Sequence, residues 1–507
     1  MILATIYFLI FCFWVKRHSF FKDDVLSFKV LLSILVLKVM GCVAYYGIYF
    51  YYYTGGFQGD SASTMKDASV IYNALPNHVN DFFKMIIGWH SNLETDPLYD
   101  IYFKYIDKWG KADVTTEFFL NDNRTPIRIN ALIMLFSFGH YAAHALVMLV
   151  LSFIGQMAFY KIVKRFFSGK ELLLAIIIFV TPSILFWTSG VLKEPISVFL
   201  LGIFTYSFFK LFIDHLYKTK YFVVLLTSSL LFLILKPYIL FLLLIPLVLY
   251  FIVRKYQVKR VLLFYAIGIA ISYSSVIVTL KYVWHKDVIN TIIVRQNDFI
   301  NLSKGGIFFL NDTYYLRLDY KDIKQFTMLD EKTKICIIKP HAKLMYWDIY
   351  HLNDTIFVND NQDTAQYKLL AVNAPAGSGI VVKRLEHSFV SFAMVIPQAI
   401  FNVLCRPFFF DSHSSIELIA SLENLLLILF CIICLIYRQK GMPYKNEVGL
   451  CLSIVVLAFI LIGLTTTVMG AIVRYKVPFL PFLLMIPLLY LDPKAIKRIP
   501  IIKRLVK

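Results

Sequence analysis

Long apolar runs recur along the chain, and they restrict the fold more than any other feature. A run of about 20 apolar residues spans the roughly 30 Å hydrocarbon core of a bilayer as a helix. Eleven apolar runs lie near 2–15, 29–53, 141–160, 172–187, 195–212, 221–235, 237–251, 261–280, 416–437, 448–467 and 477–491, the first of them short. Composition agrees: 59% of the 507 residues are hydrophobic and 16% are charged, against about 25% charged in a soluble domain. The sequence therefore predicts an α-helical polytopic membrane protein of about 11 transmembrane helices.

Charge sets the expected orientation. The net charge of +19 does not call for nucleic acid, because much of it sits in short loops between apolar runs, where it orients helices and faces anionic lipid. Basic clusters at 16–29, 161–170, 210–220, 254–260, 438–445 and 494–507 all fall on one side of an alternating eleven-span topology. The positive-inside rule makes that side cytoplasmic, with the N-terminus outside and the site facing the periplasm or exterior of an inner (plasma) membrane. The topology requires 389–415 to be interfacial or re-entrant.

The expected parts are two N-terminal spans (1–53), a first outer loop with an acidic motif (54–140) and six spans (141–281). An outer insert (282–388), the interfacial segment (389–415), and three spans with a basic tail (416–507) follow. Strand-like pieces at 333–338, 355–358 and 367–372 mark the insert as a small α+β body. Within the first loop, 79–87 reads as a helix. The seven cysteines make no disulfide framework; Cys431 and Cys434 lie in an apolar run and read as packing.

The outer side collects the unusual charges: Asp60 and Asp67, Lys193 and Glu194, Lys236, Arg406, Asp411 and Arg474. Charges in short turns between apolar spans are costly unless they serve a site or pair with one another. Asp60 and Asp67 are seven apart, so on a helix they share a face about 10 Å apart along the axis. Asp60 after Gly59 also reads as an N-cap for a helix starting at Ser61. Lys38 lies inside the second run, either snorkelling or facing the interior. Pro195 suits the first position of its helix, with Glu194 at the positive end. His140, His144 and His413 read as interfacial, and no ligand spacing points to a metal. Glu417 or Glu423 is a further pairing partner for a cation.

These elements resemble the polyprenyl-phosphate-dependent glycosyltransferases of the GT-C superfamily. The likeness rests on the acidic Gly59-Asp60 and Asp67 loop, on Pro182 to Glu194 between two runs, and on Leu235-Lys236-Pro237. The last is similar to the turn of the aminoarabinose and protein-mannose transferases. Arg406-Pro407-Phe408 and Arg474 to Phe482 resemble stretches of bacterial membrane proteins grouped loosely with them. The resemblance implies an acidic general base, Asp60 first and Asp67 second. It also implies a donor phosphate held by Lys236, Arg474, Arg406 and Lys193, with Glu194 in support. The implied partners are a polyprenyl-phosphate sugar donor, a glycan, lipid or protein acceptor, and the bilayer. The adjacent acidic pair of the family is absent, since Ser61 follows Asp60, which leaves a divalent metal open. Two other classes fit a polytopic chain: an O-antigen polymerase or ligase, and a transporter or flippase. The second would place its ionisable residues near the bilayer midplane.

Overall fold

Lipid offers no partner to a backbone N–H or C=O, so an apolar run must satisfy these groups within itself, and a helix does so. The structure, a computed structural model, describes residues 2–52, 59–88, 97–106, 123–311, 314–339, 342–346, 356–358, 366–441 and 444–496. Among them eight helices are long and apolar enough to cross a membrane. They are Phe28–Tyr52, Tyr141–Phe166, Lys193–Ile213, Pro237–Tyr256, Val261–Val283, Ser415–Ile436, Lys445–Thr465 and Met469–Tyr490. The chain is a multi-pass helical membrane protein.

The other three expected spans are shorter. Ile2–Arg17 has 16 residues and Thr219–Leu235 has 17, about 25 Å of helix each at 1.5 Å per residue. The run at 172–187 is interrupted: an α-helical Glu171–Ala175 passes into a π-helical Ile176–Val180, and a new helix starts at Pro182. Thr181 takes φ −50° and ψ 124°. A residue before proline is pushed towards such extended ψ values by the proline ring.

The chain divides into two compact units. The first comprises Met1–Ala266, Phe430–Val455 and Val477–Lys507, and the second Ile267–Leu429 and Val456–Lys476. In the first unit, the Tyr141–Val163 and Lys193–Phe208 helices meet backbone to backbone. A Cβ on Gly202 would stand 1.9 Å from the Gly155 carbonyl oxygen, so only glycine permits that approach. The first loop folds as helices of its own: Asp60–Asn73 (the acidic helix), Val79–Ile87 and Arg124–Ser137 (the arginine helix). They share a core that includes Ala68, Ile71, Phe82, Met85, Ile127 and Ala131. The Val79–Ile87 helix has the expected bounds; it buries Phe82 and Met85 and exposes Val79, Phe83 and Ile87.

The second unit contains the α+β insert. The helix Val288–Lys304 leads into strands β1 (Gly306–Asn311), β2 (Tyr314–Leu318), β3 (Phe326–Asp330), β4 (Ile335–Ile338), β5 (Lys343–Tyr346), β6 (Ile356–Val358) and β7 (Gln366–Asn373). They form one antiparallel sheet in the order β3-β4-β7-β1-β2-β5-β6, with Ile307 opposite both Leu318 and Val372. Ile307, Phe309, Leu316, Leu318, Cys336 and Leu369 fill its core. Strands β4, β6 and β7 match the three expected pieces. The other four were missed because their aromatic and apolar residues do not alternate cleanly: Phe308, between Ile307 and Phe309 on β1, is buried as well. Residues 389–404 form one continuous helix, Phe389–Cys405, with Pro397 inside. That helix meets the Lys445–Thr465 helix at Gly463, where a Cβ would stand 2.3 Å from the Ala399 carbonyl oxygen.

Candidate active site

The acidic helix starts one residue earlier than the capping pattern implies. Gly59, not Asp60, occupies the cap, at φ 85° and ψ −169°. That backbone is strained for any residue with a Cβ, so the glycine lets the helix begin at Asp60. Asp60 then lies in the first turn, where the helix dipole favours a carboxylate. The next residue, Ser61, docks the helix: its hydroxyl donates to the Val191 carbonyl at 3.0 Å and lies 3.1 Å from the Tyr45 hydroxyl. Two turns on, Asp67 is fully buried, whereas Asp60 is half-buried. The two carboxylates share one helix, as their spacing implies, but differ in access to solvent.

The arginine helix packs against the acidic helix and carries two buried guanidinium groups, Arg124 and Arg128. Sequence reasoning passed over both. Arg128 Nε donates to the Met85 carbonyl at 3.1 Å, and its Nη2 would lie 2.4 Å from a Cβ placed on Gly88. Burial lowers the pKa of each arginine to about 10, and Arg124 adds to the effect on Arg128. Both still carry charge at neutral pH. Such burial costs several kcal/mol per ion unless negative charge offsets it, and Asp67 is buried on the helix they pack against. A signal was available in Asn123-Arg124-Thr125-Pro126-Ile127-Arg128, where two arginines four apart share a helical face.

Val191, which receives Ser61, belongs to the turn that carries Lys193 and Glu194. The following helix begins at Lys193 rather than at Pro195, so Pro195 occupies its third position. The first turn tolerates it, since N–H groups there lack intrahelical partners. Lys193 Nζ donates to Asn123 Oδ1 at 2.8 Å, at the head of the arginine helix. Glu194 accepts from Lys236 at 3.1 Å, with both groups buried. Lys236 sits at the break between Thr219–Leu235 and Pro237–Tyr256 with φ −153° and ψ 77°. Three contacts (Ser61 with Val191, Lys193 with Asn123, Glu194 with Lys236) thus join the elements bearing Asp60, Asp67, Lys193, Glu194, Lys236, Arg124 and Arg128 into one cluster of the first unit.

Two neighbours lie in the interior. Lys38 takes the second of its two expected placements: it is fully buried and donates to Gln156 Oε1 at 3.0 Å and Thr188 Oγ1 at 2.9 Å. His144 is interior rather than interfacial, with Ser137 Oγ 2.6 Å from Nε2 and Asn130 Oδ1 2.8 Å from Nδ1. All three are buried, so this Ser-His-Asn arrangement is sealed from substrate and instead ties the arginine helix to the next span.

Arg406 and Arg474 belong to the second unit. Arg406 Nε lies 3.7 Å from Asp411 Oδ2, which also accepts from the Phe408 N–H at 3.1 Å. The loop is moored to the Ser415–Ile436 helix: Asn424 donates to the Cys405 carbonyl at 2.5 Å, and Ser421 to the Phe408 carbonyl at 3.0 Å. Lys476, two residues past the half-buried Arg474, is buried and donates to Asn424 Oδ1 at 3.4 Å. Asn424 therefore touches both the Arg406 loop and the segment after Arg474. Lys476 was another residue passed over, although it stands in the quoted Arg474 to Phe482 stretch. Glu417 Oε2 accepts from the His413 N–H at 2.7 Å, closing its own helix start.

Among the described residues no group of three or more His, Cys, Asp or Glu side chains is placed to hold a metal ion. Compared with protein-family models, curated proteins and solved structures, the chain has no match in any of the three.

Proposed function

We propose that the protein is a membrane glycosyltransferase. It moves a sugar from a polyprenyl-phosphate-linked donor to an acceptor on the outer (periplasmic) face of an inner membrane. The observation that carries this reading is the docking of the acidic helix, through Ser61, onto the turn that bears Lys193 and Glu194. It brings the helix that carries Asp60 and Asp67 against the turn that carries Lys193 and Glu194, and this reaction needs both carboxylates and cations. An acceptor hydroxyl attacks the anomeric carbon while the bond from that carbon to the phosphate oxygen breaks. The hydroxyl proton passes to an aspartate acting as general base, and the lipid phosphate leaves with the electron pair. Cations stabilise the charge that grows on it. Single displacement inverts the anomeric centre.

Exposure divides the aspartates between two roles. Asp60 is half-buried and within reach of an acceptor, so it is the base. Asp67 is fully buried, so it counters the buried arginines and holds the helix. Lys236 and Lys193 are the phosphate ligands, with Glu194 fixing Lys236. The buried pair Arg124 and Arg128 also suits a second reading, a polysaccharide polymerase or ligase that holds a lipid diphosphate by arginine.

Release of polyprenyl phosphate from polyprenyl-phosphate hexoses by purified protein tests the first reading. Asp60→Asn is expected to lower turnover at least 10²-fold while leaving polyprenyl-phosphate binding intact. Asp67→Asn is expected to lower thermal stability before it lowers turnover in the folded fraction. Full activity in Asp60→Asn would end the base assignment. Turnover only with diphosphate-linked oligosaccharides would favour the polymerase.

A further inference from the structure

The Lys193–Ile213 span has charge at both ends. Lys193 and Glu194 begin it, and Lys210 lies 17 residues further on, about 25 Å along a helix. Around that second end lies an open cleft of about 510 Å3 in the first unit, lined by Lys22, Asp23, Asp24, Lys161, Lys164, Tyr206 and Lys210. Three separate elements supply these groups: the loop after Ile2–Arg17, the end of Tyr141–Phe166, and the end of Lys193–Ile213.

Cations at helix C-termini are often no more than complements to the helix dipole, so the pairing of each lysine decides the matter. Lys164 is taken up by Asp23 at 2.6 Å and Asp24 at 2.5 Å. Lys210 pairs with Asp214 at 2.9 Å, which Arg165 also holds at 2.6 Å. Lys161 donates at 3.2 Å to the carbonyl of Lys22, in the loop rather than in its own helix. Among the described residues neither Lys22 nor Lys161 has a carboxylate at ion-pair distance. The lining therefore has four cations against two carboxylates, and the two without a carboxylate line the same cleft.

We propose that this cleft binds a phosphate dianion, presented as the phosphomonoester headgroup of an anionic membrane lipid. An excess of two positive charges matches a phosphomonoester, which carries close to two negative charges at neutral pH. Basic pockets between helix ends at a membrane face are suited to such headgroups. The cleft is also within the volume range of small-ligand sites. This inference is independent of the glycosyltransferase reading, since the two sites lie at opposite ends of one span.

The test uses the full chain purified in a neutral detergent and titrated with short-chain phosphatidate, with phosphatidylcholine of the same chain length, and with inorganic phosphate. Phosphatidate is expected to bind at least ten-fold more tightly than phosphatidylcholine. A lysine near anionic lipid contributes roughly a five-fold factor, so Lys22→Gln with Lys161→Gln should weaken phosphatidate at least ten-fold. Asp24→Asn removes an exposed carboxylate while Asp23 still holds Lys164, so it should tighten binding severalfold. A merely structural role for these lysines predicts no such opposite change. Displacement of phosphatidate by millimolar phosphate would make free phosphate a sufficient ligand, and no displacement would make the lipid the source. Equal affinity for the two lipids, or unchanged affinity in the double variant, would overturn the proposal. If the double variant does not fold, unchanged or weaker binding in Asp24→Asn overturns it alone.

Discussion

At the scale of single residues, the Glu194–Lys236 pair is the most exposed to experiment. Both groups are buried, Glu194 completely, and removing one partner of a buried pair strands the other at a cost of about 3–5 kcal/mol. Glu194→Gln should therefore lower the midpoint of thermal unfolding sharply. The double change Glu194→Leu with Lys236→Met should recover most of that loss, because two apolar groups need no partner. Recovery of stability without recovery of turnover would place the pair in the reaction. Recovery of both would leave it a structural pair. The pairing could not be read from the chain, where Glu194 stands beside Lys193 and 42 positions from Lys236. The two meet only because one helix begins where another breaks.

At the scale of elements, the tightest constraint is the crossing of the Tyr141–Val163 and Lys193–Phe208 helices at Gly155 and Gly202. The second of these helices carries Lys193 and Glu194 in its first turn, so any separation of the pair moves the candidate site. Gly202→Val should cost about 1–3 kcal/mol through overpacking and reduce both stability and turnover. Gly47 is the control: it too is a helical glycine, but no atom lies within 4 Å of a Cβ placed there. Gly47→Ala should leave stability unchanged or raise it by up to about 1 kcal/mol. A wild-type melting curve for Gly202→Val would remove the close approach as a determinant of the fold. Helix positions were readable from apolar run length, but helix ends were not. Gly59 at the cap, Lys193 before Pro195, and the break at Thr181 each depend on one backbone conformation.

At the scale of the whole molecule, the basic loops and the apolar helices lead to one topological prediction. A reporter fused after position 340 should be external and one fused at the C-terminus internal, because lysine and arginine in short loops stay on the cytoplasmic side. A cytoplasmic signal at 340 would put the insert on the inside and with it reverse the proposed face of the site. The shorter helices Ile2–Arg17 and Thr219–Leu235 are the sensitive points of this prediction. Each falls a few ångströms short of the hydrocarbon core and must thin the bilayer or lean on its flanking lysines to cross.

The sequence by itself determined the class of molecule and the residues whose placement is costly. An apolar run of spanning length has few options in water or lipid, and a charge within such runs is expensive wherever it ends up. Asp60, Asp67, Lys193, Glu194 and Lys236 could therefore be singled out without coordinates. Tertiary structure alone decided which of them are sealed and which are reachable, and what each one touches. It buried Asp67 and left Asp60 half-open, joined Glu194 to Lys236, and brought Arg124 and Arg128 against the acidic helix. Burial and pairing arise from the approach of segments far apart in the chain, and a one-dimensional pattern records the period of a helix but not its neighbour.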